Sequence, residues 1–395
     1  MLLLVLFALF LVHQFWWRRR GYPPGPTPLP IIGNLHSFWG VERQENKLYE
    51  WKQKYGPIFT YWISGAPVVN ICDHKLMREH IVNDGDTFAD RPFLVHFDNA
   101  VRGGVFGIID TSGDLWREQR RFVLRFFRDF GVGKNQMEER ILEEIQTMCE
   151  RVNEDIQAGV ELHDFYQKSD VAIGSLITAI VCGFRLTTDG REDQFRKLKA
   201  LTEEAGRNLA DPFRIFLFVA PFVRKFPFCR QRFEQAVGVT NKIFDFLDGE
   251  SSSHTVSWAI AYAITNPEAQ AKLHEELDRV IGSGRSVTRS DKTNLPFANA
   301  FVMETQRMAN ILSLNAPRFT TRDVEIAGCV IKKARALVIP QISVPMIDPQ
   351  VFPEPQRFNP DRFIDERGQL KRVDEFTPFS LGKRQCPGES LARME

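Results

Sequence analysis

From Asp73 to about Ile281 the apolar residues of this chain recur at three- and four-residue spacing, which commits most of the polypeptide to helices packed on helices. The clearest stretches are Gln136 to Asn153, Val171 to Ile180 and Thr255 to Val280. Strand patterns lie on either side. Ile58-Phe-Thr-Tyr-Trp-Ile and Pro67-Val-Val-Asn-Ile bracket Ser64-Gly65-Ala66, which is a hairpin signal, and alternation returns from Val324 to Pro340. The expected fold class is mainly α with a small β-sheet region. No internal repeat and no second core is visible in the 395 residues.

Composition narrows the partners. With 51 Lys+Arg against 50 Asp+Glu the chain has no basic excess to hold nucleic acid. Its six cysteines, at 72, 149, 182, 229, 329 and 386, are scattered and form no Cys-x-x-Cys pair for zinc. They read as free thiols in a reducing compartment.

The N-terminus is an apolar run, Met1 to Trp17, followed by Arg18-Arg19-Arg20. A secretory signal places its charge before the apolar stretch and a small-residue cleavage site after it; here both are missing. The segment 1–20 therefore reads as a retained membrane anchor, long enough at roughly 25 Å to span a thin bilayer. Trp16 and Trp17 would lie in the interface, and the arginines would hold the body in the cytosol. The following Pro23-Pro-Gly-Pro-Thr-Pro-Leu-Pro30 lies within an extended, proline-stiffened hinge over 21–35. The body is assigned to 36–395.

The chemistry sits near the other end, in Phe379-Ser-Leu-Gly382-Lys-Arg384-Gln-Cys386-Pro-Gly388. A metal-bound thiolate must be kept deprotonated by the metal, by a nearby cation and by backbone N–H groups that a tight glycine turn aims at the sulfur. This block supplies the cysteine, the cation and the glycine turn. Its pattern has a chance frequency on the order of 10⁻⁴ in a chain of this length. Glu304 and Arg307 are three apart on one helical face and so can pair, although Glu118/Arg121, Glu204/Arg207 and Glu276/Arg279 share the same spacing. Trp116 and Arg120, four apart, also share a face and could offer a neutral and a charged donor to an anion.

The Phe379–Gly388 block resembles the haem-binding loop of the cytochrome P-450 family, the haem-thiolate monooxygenases. The resemblance covers nearly everything from the anchor to the last residue. It implies a cytochrome P-450 fold and haem b, iron protoporphyrin IX, with Cys386 as axial thiolate ligand. Phe379, Gly382, Arg384 and Gly388 would shape the loop, and Trp116, Arg120, Arg318 and Arg384 would meet the haem propionates. Glu304, Arg307 and Arg362 correspond to the family's bracing triad. Arg117, Arg121, Arg128 and Lys383 would form the docking patch for NADPH-cytochrome P-450 reductase, with cytochrome b5 as a further partner.

The same resemblance implies O2 and a small apolar molecule (xenobiotic, fatty acid or steroid-like) as substrates, and a body on the cytosolic face of the endoplasmic reticulum membrane. Phe213 to Phe228 falls where the family carries a mobile roof over the substrate cavity, though it reads equally as buried core. Glu250 and Ser251 keep the acid–alcohol order of the family's proton-delivery motif, but Leu247-Asp248 stands where a small Ala-Gly pair is usual. Family positions are also missing between Phe226-Pro-Phe-Cys-Arg-Gln-Arg-Phe233 and that motif, and the terminal strands are absent. The fold is accordingly expected to lack part of its distal helices and its C-terminal strands. Two function classes stay open: a haem-thiolate monooxygenase, and a membrane-tethered remnant that binds haem weakly or not at all. A third reading is a haem-thiolate sensor or isomerase that needs no reductase.

Overall fold

The computed structural model describes the residues outside 92–106, 130, 132–134, 162–163, 182–184, 189, 191, 211–216, 218–220, 245–250, 283 and 395. Helices dominate, as the periodicity predicts. The expected stretch from Gln136 becomes the helix Asn135–Gln157, and that from Val171 becomes Phe165–Val181. One expectation is corrected. The pattern from Thr255 to Val280 is two helices, Ser251–Thr265 and Pro267–Val280, which abut at Asn266 (φ −129°, ψ 75°). Pro267 has no N–H to continue the ladder and excludes helical geometry from the residue before it, so it starts a new helix instead.

The hairpin is formed as expected, β1 (Ile58–Ile63) and β2 (Ala66–Ile71) pairing antiparallel from Ile58↔Ile71 to Ile63↔Ala66. Val324–Ile326 (β3) and Cys329–Ile331 (β4) make a separate antiparallel pair. Leu337–Pro340 (β5) joins β2 in parallel, with Val68 opposite Leu337. Beneath the three-stranded sheet lies a core of Val69, Ile71, Met77, Ile81, Phe88, Val338 and Ile342. Leu381, from the cysteine loop, is buried in the same cluster. That burial is what holds the loop to the sheet.

The N-terminal apolar run forms a helix. The helix Leu2–Phe15 has 14 residues, about 21 Å at 1.5 Å per residue, and no helix among the described residues is long and apolar enough to cross a membrane. Its C-terminal end is tied to the body. Arg18 donates from Nη1 to Gln14 Oε1 (2.9 Å) and from Nη2 to the Ser64 carbonyl (2.6 Å), and its guanidinium lies 4.2 Å from the Trp62 ring centroid. Residues 23–28 of the proline-rich hinge form no helix or turn, residues 30–32 turn, and the segment lies along β1. Thr60 N–H donates to the Pro24 carbonyl (2.9 Å) and Asn34 N–H to that of Trp62 (2.7 Å), covering an edge that would otherwise be open.

The helix Pro296–Ala309, which carries Glu304 and Arg307, is fastened at its start by Glu276 from the neighbouring helix Pro267–Val280. The buried Glu276 carboxylate accepts from the N–H groups of Phe297 (2.9 Å) and Ala298 (2.8 Å), two donors that a helix start leaves without intrahelical partners. Glu276→Ala should lower stability by about 1–2 kcal/mol, read as a lower urea midpoint. An unchanged midpoint would show that solvent replaces the carboxylate there.

Candidate active site

Glu304, Arg307 and Arg362 meet in the interior. Glu304 and Arg307 are fully buried, so the pair shares one solvent-free volume. Arg307 donates from Nε to Glu304 Oε2 (2.8 Å) and from Nη2 to Oε1 (2.9 Å). Arg362 Nε reaches the same Oε1 at 3.0 Å, and Asn359 N–H adds a further bond at 2.9 Å. The arginines spend their other donors on chain carbonyls, Arg307 on Met346 and Pro355, Arg362 on Pro353 and Arg357. Helix, turn and the segment leading to the cysteine loop are thereby locked together. Glu276, by contrast, has become a helix cap rather than a partner for Arg279. Glu304 and Arg307 are both buried, whereas Arg279 and the Glu118/Arg121 pair are exposed.

The cysteine loop is shaped by its glycines. Gly382 has φ +72°, and a Cβ built there would stand 2.2 Å from the Ile81 carbonyl oxygen, so only glycine can lie this close to the Arg78–Asn83 turn. Gly382→Ala should therefore cost about 1–3 kcal/mol and lower the thermal midpoint; equal stability would mean that the turn can retreat. Cys386 N–H donates to the Phe379 carbonyl (3.0 Å) and closes the loop, while Arg393 lies 5.0 Å over the Phe379 ring. At Gly388 an added Cβ would touch Cys386 Sγ at 3.9 Å.

The Cys386 side chain reaches the surface. Packing around the sulfur pushes its pKa up, opposed first by the N–H of Gly388 and more weakly by Arg120 and the N–H of Glu389. The parts that favour a thiolate are thus assembled. Without a further positive charge, the thiol form is favoured.

Trp116 and Arg120 project from the helix Gly113–Asp129. Arg120 Nη2 donates to the Gln385 carbonyl (2.8 Å), next to the cysteine. The Trp116 indole is buried, with its Nε1–H lacking a hydrogen-bond partner and the Arg384 guanidinium 4.0 Å from its ring centroid. Arg318 is held by reciprocal backbone bonds to Val338 of β5, both 2.8 Å. Its side chain is 1% exposed, and while Nη2 donates to the Leu381 carbonyl at 2.9 Å, its Nε and Nη1 have no partner.

Arg384, expected at a haem propionate, is engaged by the chain itself. It donates from Nε to the Ala89 carbonyl (2.6 Å), from Nη1 to that of Ile108 (3.1 Å) and from Nη2 to that of Thr111 (2.6 Å). It ties the loop to the segments on either side of the site.

Sequence reasoning missed Arg91 altogether. Its Nη1 donates to the Ala316 (3.0 Å) and Pro317 (2.7 Å) carbonyls, beside Arg318, and Phe319 N–H donates to the Asp90 carbonyl at 2.8 Å. Burial, reinforced by the neighbouring arginines, pushes Arg318 down to about 9 and Arg384 down to about 9; burial alone takes Arg91 down to about 10. A guanidinium keeps its proton in practice, so this pressure marks a locus short of negative charge. Asn315 was also missed. In left-handed geometry (φ 51°), it donates from Nδ2 to the Pro340 carbonyl (2.7 Å) and to Ser380 Oγ (3.2 Å), joining β5 to the cysteine loop. No local periodicity could have pointed to either residue.

Glu250 lies outside the described residues. Ser251 begins the helix Ser251–Thr265. Of the aromatic stretch expected to roof a cavity, residues 213–216 and 218–220 also lie outside them, while Leu217 and Val223 pack on Leu35 and Phe226 and Phe228 are exposed. Of the basic side chains singled out, Arg117 pairs with Asp114 (2.6 Å), Arg128 with Asp129 (3.6 Å) and Lys383 with Asp86 (2.5 Å). They and Arg121 are exposed.

The family model described as Cytochrome P450 matches residues 23–250 and 249–395, which together take in nearly the whole chain. The chain belongs to the cytochrome P450 family. Cytochrome P450 2A5 of Mus musculus is 30% identical over 442 positions, covering 99% of this chain and 88% of its own. Cytochrome P450 2D26 of Rattus norvegicus is 32% identical over 446, covering 97% and 85%. A probable cytochrome P450, CYP36A1 of Caenorhabditis elegans, is 30% identical over 452, covering 100% and 90%. These alignments exceed 395 positions, so the P450 relatives carry residues inside the aligned region that this chain lacks. By resemblance the chain is a cytochrome P450 monooxygenase with the mainly helical, small-sheet fold of that family, and shorter than these relatives.

Proposed function

We propose that the chain is a haem-thiolate monooxygenase that inserts one atom of O2 into a small apolar substrate with electrons from NADPH. The observation that carries this reading is the pairing of an accessible Cys386 with a cluster of buried, unpartnered donors. Trp116 Nε1 and Arg318 Nε and Nη1 are the orphans, and Arg91 and Arg384 add positive charge around them. Such a donor set fits a group with a metal at one place and carboxylates at another, as haem has.

Cys386 would be the axial ligand, Trp116 and Arg318 would bond the propionates, and Arg384 would act through its charge and by bracing the loop. Bound haem would supply the oxygen chemistry, in which thiolate ligation favours O–O scission. The protein's part is to hold the Cys386 sulfur against the N–H groups of Gly388 and Glu389, and to keep the loop rigid through the Glu304 triad.

Glu250 and Ser251 would deliver protons. Glu250→Gln is accordingly expected to slow product formation while leaving substrate affinity nearly unchanged; equal turnover would remove that role. The exposed basic side chains of the helix Gly113–Asp129, with Lys383, support docking of an acidic reductase and of cytochrome b5. An endoplasmic reticulum location with the body towards the cytosol is supported by the exposed Val5, Leu6, Leu9, Phe10 and Val12 of the N-terminal helix.

One observation favours a second reading, a non-catalytic remnant: the two pieces matched by the family model meet at residues 249 and 250, beside the proposed proton-delivery pair. One preparation decides between them. The purified full-length chain, supplied with haem, reduced and exposed to carbon monoxide, should show a strongly red-shifted Soret band, and with NADPH and reductase it should turn over an apolar substrate. The band without turnover supports the remnant, and no haem uptake refutes the enzyme.

A further inference from the structure

Where the N-terminal helix meets the body there is a separate cleft of 220 Å³, walled by Trp16, Arg19, Arg20, Tyr22 and Trp62 with Thr60 on its floor. None of these residues belongs to the arginine cluster around Cys386. Thr60 is 2% exposed, yet its Oγ1 has no hydrogen-bond partner. A buried hydroxyl without a partner costs about 1–3 kcal/mol, and this one lines the cleft. The volume admits a polyatomic group, since a single water takes about 30 Å³ of liquid.

The walls define its charge. No carboxylate among the described residues pairs with Arg18, Arg19 or Arg20. Arg19 donates to Thr27 Oγ1 (3.2 Å) and the Gly25 carbonyl (2.8 Å), and Arg20 lies 4.4 Å from the Trp16 ring centroid. Guanidinium groups match phosphate in shape and charge, and a hydroxyl donor below them completes the coordination. Gly25 keeps the floor close: an added Cβ would stand 1.9 Å from the Thr60 carbonyl oxygen. The surroundings are apolar, with Trp16, Trp17, Leu29 and Ile31 all more than 40% exposed beside the exposed face of the helix Leu2–Phe15. A charged head beside apolar surface suits an amphiphile rather than a free ion.

We infer that this cleft binds the phosphate headgroup of an anionic glycerophospholipid, with Arg19 and Arg20 on the phosphate oxygens and Thr60 Oγ1 donating from below. Binding there would set the angle between the N-terminal helix and β1, because the cleft is built from both. The site stands apart from the haem reading and is tested without it.

The full-length chain in an uncharged detergent is titrated with dioctanoyl phosphatidic acid, dioctanoyl phosphatidylcholine and inorganic phosphate, and its tryptophan fluorescence is followed. Phosphatidic acid should bind saturably, at least tenfold tighter than either of the others. Arg20→Gln should weaken it about fivefold and Thr60→Val about tenfold, with the circular dichroism spectrum unchanged. Arg20 is exposed, so its variant carries the test if Thr60→Val does not fold. Equal binding of phosphatidylcholine would show that the apolar surface alone recruits lipid, and inorganic phosphate competing as well as the lipid would make the ligand a free anion. Either result, or both variants binding like the parent, overturns the assignment.

Discussion

Glu304→Gln should destabilise the chain by about 3–5 kcal/mol, a large share of the 5–15 kcal/mol that typically separates folded from unfolded protein. The Glu304 carboxylate accepts four hydrogen bonds, from Arg307 Nε and Nη2, Arg362 Nε and Asn359 N–H. Replacing it by the amide keeps the shape but removes the negative charge, and it sets an NH2 group against guanidinium donors. Arg307, with no solvent contact, then keeps a buried charge without its counter-ion. Urea unfolding followed by circular dichroism reads the effect. A loss under about 0.5 kcal/mol would show that the carbonyls of Met346 and Pro355 satisfy Arg307 by themselves. Arg362→Ala should cost less than Glu304→Gln, because the rest of the pair survives and Arg362 is 8% exposed at its side chain.

Cys386→Ala should abolish the red-shifted band of the reduced, carbon monoxide-treated protein and leave the fold in place. The side chain is exposed and packs into no core cluster, so its removal opens no buried cavity, and Leu381 still anchors the loop. The change falls on ligation alone. Trp116 and Arg318 keep their donors in the variant, so some haem uptake with an unshifted band is the expected outcome. A full red shift in the variant would assign the ligand to another side chain and refute the thiolate. A collapse of the circular dichroism signal would instead show Cys386 to be structural.

How much of this was legible beforehand depends on the range of the interaction. The hairpin was, because Ser64-Gly65 between two β-branched and aromatic runs is a signal within a dozen residues. The helices were too, except at Pro267, where a break in backbone hydrogen bonding overrides an apolar pattern that continues across it. The cysteine loop could be read as a motif, and Gly382 is now seen to be needed because the Ile81 carbonyl presses on it from a distant part of the chain. Arg384 was read as an anion contact, and its bonds to Ala89, Ile108 and Thr111 add a tie between segments that no motif announced.

By itself the sequence determined which residues would be helical, which turn would carry the sulfur and that Glu304 and Arg307 would share a face, since each follows from spacings of a few residues. Only the tertiary structure decided that this Glu-x-x-Arg pair is the buried one, that Arg91 joins Arg318 and Arg384, and that the proline-rich segment and Arg18 bind the N-terminal helix to the sheet. Burial and electrostatic potential are sums over atoms far apart in the chain. They have no value until the backbone has closed.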